Sequence, residues 1–307
     1  MMNHLKRTYF ALHERLPAAW QQRLLTLWTR SALRRSLRRR RNERAKRMKQ
    51  EAIERYGRCN AIELSEMLRG HGIAQGDVLF VQCSFNDLYT FQGSPLALLE
   101  ALRQVVGPAG TLLMPAYTSA ATSMDQPFQP QRDATYTGIL CETFRRYQGV
   151  LRSLHPRHSI CGLGPQAAML LEGHDTCVRA DGPDSPFDRL RRLPNAKILT
   201  LGLPAAHISF LHWVEDFEPD KLPFQVLRTE PVVSAVMLPD GSVRAVADWH
   251  VKSDVAARLS LGPIALQLSA HACKIFDFRG ITVGIYNMPA LAAELLALRD
   301  RGIIHYS

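Results

Sequence analysis

GDVLFVQCSFNDLYTFQGSPLALLEALRQVVGPAGTLLMPAYT, Gly76 to Thr118, carries the pattern from which the fold class is read. Gly76-Asp77 is a turn, and it opens an apolar run of strand length, VLFVQCS (Val78–Ser84). Pro95–Val106 then repeats leucine and valine at helical spacing behind a proline suited to a first helical turn. Gly107-Pro108 turns the chain again, into the second apolar run of GPAGTLLMPAYT (Gly107–Thr118). Two strands joined through a helix form a β-α-β unit, so the chain is expected to be α/β.

Working outward, AIELSEMLRGHG (residues 61–72) reads as an amphipathic helix ended by Gly72, upstream of the first strand. Downstream, residues 119–136 are a long loop rich in Ser, Gln and Pro, and Thr137–Tyr147 is a helix. VLRSLHPRHSICGLG (Val150–Gly164) crowds Arg152, Ser153, His155, His158 and Ser159 around Pro156. It reads as a polar turn or, less well, as a metal pair His155-x-x-His158, for which no further ligands stand nearby. Gly162-Leu-Gly164 lacks the third glycine of a dinucleotide fingerprint. Pro165–Glu172 is a second helix, and Gly173–Leu193 is dense in turn residues. Lys197–Gly202 (KILTLG) is a third strand. Residues 224–250 alternate about a hairpin turn at Pro239-Asp240-Gly241, and a strand Ile281–Tyr286 and a helix Pro289–Arg301 close the domain. The sequence contains no internal repeat.

The net charge of +10 suggests a nucleic-acid binder until it is divided along the chain. Residues 1–58 hold 17 Lys+Arg against 4 Asp+Glu, leaving 21 against 24 for all the rest. The excess therefore belongs to an N-terminal arm, residues 1–58, and the remainder, residues 59–307, is nearly neutral. The arm reads as helical, broken near Pro17 and at Gly57, with Trp20, Leu24, Leu27 and Trp28 at helical spacing before the run RRSLRRRR (Arg34–Arg41). Its expected uses rank as packing or homodimer contact, then an anionic membrane surface, then nucleic acid, since no nucleic-acid module follows. Six scattered cysteines without a CxxC pair fit reduced thiols. With no signal-peptide core and no apolar run long enough to span a bilayer, a cytoplasmic location is expected, with the arm at the inner membrane face as its variant.

The chemistry points to TLGLPAAHISFLHWVEDF, Thr200 to Phe217. A strand runs into a proline-containing loop and then a helix, whose first turns would carry Ser209, His212 and Glu215 at steps of three on one face. A base, a carboxylate beside it and a hydroxyl are what acyl transfer to an amine requires. Open α/β folds place their ligands at such strand ends. A polar stripe on a surface helix is the plain alternative.

Taken in order, these blocks resemble the aminoglycoside 3-N-acetyltransferase family over about residues 60–305. GDVLFVQCSF (Gly76–Phe85) is similar to the family's strand and His-Ser-Ser-Leu turn, and GPAGTLLMPAYT to its Gly-Thr-Leu…Met-Pro-Thr block. RSLHPRHSICGLG is similar to its Arg-Ser-x-His-Pro-x-x-Ser block, GPDSPFDRL (Gly182–Leu190) to Gly-Pro-x-Ser-Pro, and LGLPAAHISFLHWVE to the segment ending in the catalytic His-x-x-Glu. The resemblance implies an acyl-CoA-dependent N-acyltransferase domain over residues 59–307, with a central mixed sheet and flanking helices. It also implies acetyl-CoA as co-substrate, no metal, an amino-sugar acceptor and a part in antibiotic resistance. By the same resemblance His212 is the general base, acting as a neutral imidazole, Glu215 orients it, and Ser209 bonds the oxyanion, a contact worth about 3 kcal/mol. Gln82, Cys83, Ser84, Thr111, Arg152, Ser153, His155 and Ser159 would form the CoA side, with Arg152 on a phosphate.

Three positions depart from the family: Gln82 for His, Cys83 for Ser, and Ala206 where drug-acetylating members carry Asp. Loss of that carboxylate, beside Arg189, Arg191 and Arg192, leads to the expectation of a neutral or anionic acceptor, such as a nucleotide-linked amino sugar of surface-polysaccharide synthesis. Asp175, Asp181, Asp184 and Asp188 are the acids that could replace it. Two rivals remain: Cys83 as an acyl-carrying nucleophile with His212 as its base, and a degenerate fold that only binds.

Overall fold

The computed structural model describes residues 32–118 and 122–306. It divides between Gly57 and Arg58 into two units. The described part of the first is one helix, Ala32–Tyr56, which ends where Gly57 takes φ +73°. Residues 1–31, and with them the Trp20–Trp28 stripe, lie outside the described residues.

The second unit is built on a seven-stranded mixed sheet. Its strands are β1 Val78–Cys83, β2 Thr111–Pro115, β3 Leu151–Arg152, β4 Ile160–Leu163, β5 Ala196–Leu201, β8 Cys273–Phe278 and β9 Ile281–Asn287; β6 Val232–Met237 and β7 Val243–Asp248 form a separate two-stranded ribbon. Across the sheet the order is β3-β4-β2-β1-β5-β9-β8. The three central strands are parallel: β1 pairs with β2 from Val78↔Thr111 and with β5 from Val78↔Ala196 to Cys83↔Leu201. Strands β4 and β9 add antiparallel on either side. The expected α/β fold with a central mixed sheet is therefore what forms, and helix Pro95–Val106 is the crossover read from the sequence.

Strand periodicity sorts the core. Leu79, Val81 and Cys83 face a cluster with Leu98, Leu99, Leu102 and Val105 of the crossover helix. Val78 and Phe80 face the other way, into Phe187, Leu190, Trp213 and the helix Met288–Asp300 through Leu291 and Leu295. With both faces covered, β1 must read as a continuous apolar run, as parallel strands do. Three strands escaped the sequence reading, β3 with its neighbour β4, and β8. β4 lies inside the crowded Val150–Gly164 block, and β8 is a half-exposed strand whose alternation is weak. The hairpin turn at Pro239-Asp240-Gly241 forms as expected, with Gly241 at φ +85° and Ser242 Oγ donating to Asp240.

Candidate active site

The site gathers at the carboxyl ends of the parallel strands. Period-two alternation carries Gln82 onto the same face of β1 as Val78 and Phe80, toward the segment that follows β5. There the Gln82 amide makes two bonds to one residue: Nε2 donates to Ser209 Oγ at 2.9 Å, and Oε1 accepts from the Ser209 N–H at 2.9 Å. At Gly202 the chain leaves β5 with φ +69°, and a Cβ there would stand 2.9 Å from the Ser84 carbonyl, so only glycine fits. Ala206, also left-handed at φ +57°, is buried and donates its N–H to the Tyr286 hydroxyl.

The helix after this loop is Leu211–Phe217. Ser209 therefore lies in the turn before it and not in its first turn, a correction to the expected spacing. Phe210 is already helical at the cap position, and Gln82, not helix periodicity, fixes the Ser209 hydroxyl. His212 and Glu215 do sit three apart on the helix, with Nδ1 and Oε1 at 2.5 Å.

Glu215 is buried, and the C-terminal segment meets it from the far side: His305 Nε2 lies 3.4 Å from Oε2, and the Tyr306 hydroxyl donates to Oε1 at 3.2 Å. Burial works against charge on His212, but Glu215, with Asp181 and Asp216 behind it, outweighs burial and raises its pKa to about 9. The His212 side chain is 39 % exposed, so water reaches the ring and the carboxylate decides the direction. Burial likewise opposes ionisation of Glu215, yet His212 and then His305 hold it down at about 2. Asp216 is pushed up to about 7 by burial and by the charge of Asp181, whose N–H it accepts at 3.0 Å. At neutral pH the pair is thus imidazolium-carboxylate, where a neutral imidazole was expected. Once deprotonated, Nδ1–H stays on Glu215 and the lone pair is left on Nε2. A cavity of about 210 Å³ adjoins the pair, lined by Gln82, Ser209, His212, Leu259, Leu261 and His305 among others. A larger one, about 630 Å³ beside Gln75, Gly110 and Gly164, lies at the opposite ends of the strands.

His212, Glu215 and His305 are the described trio whose ligand-type atoms crowd within 4.8 Å. Two ligands on a tetrahedral zinc stand about 3.3 Å apart, so the 2.5 Å contact between His212 and Glu215 is a shared proton and not a metal edge. The His155-x-x-His158 pair holds no metal set either: His155 is fully buried against His174, and His158 pairs with Asp181.

The block expected on the CoA side proves to be internal scaffolding. Arg152 donates to the carbonyls of Ala116, Pro130 and Asp133 and to Ser159 Oγ, and lies over the Phe128 ring. Ser153 Oγ is bonded to His174 and to the Ile160 N–H, and Thr111 Oγ1 accepts from the Gln166 N–H. His155, Ser159 and Thr111 are fully buried. Ser84 is bonded to Asp87. Of that list only Gln82 reaches the His212 cavity. Cys83 is buried, and burial pushes its thiol far up, which removes it as a nucleophile.

The arginines expected to favour an anionic acceptor are also committed. Arg189 caps the carbonyls of Met169, Leu170 and Glu172, Arg192 pairs with Asp188, and Arg191 pairs with Asp188 while stacked on Trp213 and Phe217. The acids acting on His212 are Glu215, Asp181 and Asp216. Asp175 is paired with Arg244, and Asp184 donates its N–H to Asp188. Sequence reasoning missed His305, Tyr306 and Asp216. Only the last had a local signal, as an acid next to Glu215.

The sequence model of the aminoglycoside 3-N-acetyltransferase family matches residues 80–265, a span that includes Gln82, Ser209, His212 and Glu215. The chain belongs to this family. Aminoglycoside N(3)-acetyltransferase IV of Salmonella sp is 33% identical over 168 residues, 54% of this chain and 61% of that protein. Aminoglycoside N(3)-acetyltransferase III of Serratia marcescens is 30% identical over 213 residues, 64% and 76%. The chain spans about three fifths of the length of the first of these curated acetyltransferases. Among solved structures, aminoglycoside acetyltransferase AAC(3)-Xa superposes with TM-score 0.71 at 22% identity, over 84% of this chain and 99% of that one. A variant of AAC(3)-IVa in complex with gentamicin has TM-score 0.66 at 26% identity, over 80% and 89%. The family's acetyltransferases thus share this sheet and its order of blocks.

Proposed function

We propose that residues 59–307 transfer an acetyl group from acetyl-CoA to an amine of a cationic amino sugar of the aminoglycoside type. The observation that carries the reading is the His212–Glu215 pair, at 2.5 Å and beside a cavity at the carboxyl ends of the parallel strands. The acceptor amine attacks the thioester carbonyl carbon, and the C–N bond forms as His212 Nε2 takes the amine proton. The C–S bond then breaks, and the imidazolium returns the proton to the departing thiolate. Gln82 donates to Ser209 Oγ, which leaves the Ser209 proton for the developing oxyanion. The negative field that Glu215, Asp181 and Asp216 set up at His212 favours a cationic acceptor beside it. With its arginines committed, the nucleotide-linked alternative has no phosphate site among the residues that suggested it.

The test is release of free CoA from a panel of acyl-CoAs and acceptors, in the wild type and in His212→Ala. Turnover on a gentamicin-like acceptor, with a loss of about 100- to 10,000-fold in the variant, is expected. Preference for a sugar nucleotide, or full activity in His212→Ala, overturns the reading.

The arm is a second element of the proposal. Helix Ala32–Tyr56 has no apolar stripe with which to pack on a partner. Arg39, Arg40, Arg44, Lys46, Arg47 and Lys49 stand on it, all exposed. These charges suit an anionic membrane surface; the stripe that suggested a homodimer contact, Trp20–Trp28, lies outside the described residues. Among the described residues no helix is long and apolar enough to cross a membrane.

A further inference from the structure

Glu215 is buried, and part of what encloses it is a segment with no catalytic signature. Its Oε1 accepts from Tyr306 as well as from His212, and its Oε2 faces His305 Nε2 across 3.4 Å. Both of those facing atoms are buried and neither makes a hydrogen bond, so they meet as a charge–dipole contact. The segment is itself anchored. Ile304 and Tyr306 pack with Val226, Leu227 and Val255, and the His305 carbonyl accepts from the Ser260 N–H at 2.9 Å. The rings of His305 and His212 stand 5.4 Å apart, edge to face. A carboxylate on a helix has free rotation about its own side-chain bonds, and a displacement of about 1 Å can cost 100-fold in rate. One hydrogen bond to His212 does not stop Glu215 from turning away; contacts on both its oxygens do.

We infer that His305 and Tyr306 are positioning residues that clamp Glu215 against His212 and so set the basicity and orientation of the catalytic imidazole. His305 faces Oε2 as a neutral imidazole, since burial lowers its own affinity for a second proton despite the Glu215 charge. The groups that face His212 are then Glu215, Asp181, Asp216 and His305, and of these only Glu215 is held through the clamp. The inference rests on the acetyl-transfer reading for its rate effect, but not for its effect on the imidazole.

The experiment follows the His212 ring by NMR titration of the full chain, alongside steady-state kinetics, in wild type, His305→Ala, His305→Gln and Tyr306→Phe. In His305→Ala the His212 pKa is expected to fall toward the ordinary histidine value, with kcat lowered by about 10- to 100-fold and KM for acetyl-CoA unchanged. His305→Gln, which keeps an N–H donor, should recover most of both. Tyr306→Phe, which keeps the packing, should shift the titration in the same direction by a smaller amount. An unmoved or higher His212 pKa in His305→Ala overturns the clamp, as does a change in KM alone. Absence of acetyl transfer in the wild type would overturn the function and leave the titration to judge the clamp by itself.

Discussion

At the scale of single residues, the His212–Glu215 pair is a strong base held in its protonated form. With its pKa raised to about 9 by the carboxylate, His212 is mostly imidazolium at neutral pH, and the proposed acetyl transfer draws on the small neutral fraction. The kcat/KM profile should therefore rise through neutrality and level only near pH 9. Glu215→Gln removes the main charge favouring the imidazolium, so the rising limb should move down toward the ordinary histidine range of about 6.5, while the plateau falls by about 10- to 100-fold. A pH-rate series on both proteins checks this, and an unshifted limb would assign it to another group. The same pair has a signature in stability. The His212 part is fully present below about pH 6.5 and is lost as pH rises through about 9; the Glu215 part is present above about 4.5 and is lost as pH falls through about 2.

At the scale of elements, the joint that matters is between the end of β1 and the turn before the catalytic helix. Gln82 joins them by donating to and accepting from one serine. Gln82→Leu keeps the volume and removes both bonds, leaving the Ser209 N–H without its acceptor. It should lower stability by about 1–3 kcal/mol and lower kcat more than it raises KM. Urea unfolding and steady-state kinetics measure the two effects, and a variant with unchanged kcat would detach Ser209 from the chemistry. This joint also shows what the sequence could reveal. Strand β1, the crossover helix, β5 and the His-x-x-Glu helix were legible because apolar spacing and turn residues are local signals. The partnership of Gln82 with Ser209 was not, because it spans 127 positions. Arg152 and Arg189 were misread for a related reason: an arginine binding carbonyls and one binding phosphate look alike until their partners are placed. His305 sits in no pattern at all, and only the packing of Ile304 and Tyr306 brings it to Glu215.

At the scale of the whole molecule, a nearly neutral α/β unit and a strongly basic arm are separate units of one chain. Replacing Arg39, Arg40, Arg44 and Arg47 by Gln should weaken binding to vesicles rich in anionic lipid by several hundred-fold, at about 1 kcal/mol per arginine, and leave turnover in solution unchanged. Equal vesicle binding by the two proteins would remove the membrane role. A drop in sedimenting mass would favour the homodimer contact instead. The α/β unit has a further property that follows from how its candidate site is assembled. Gln82 and Ser209 are 127 residues apart and Glu215 and Tyr306 are 91, so no short fragment and no half-formed sheet brings these groups together. Partial structure then carries no partial activity. If the proposed acetyl transfer holds, its rate during denaturation or refolding counts intact molecules, and the assay is at the same time a census of the native population.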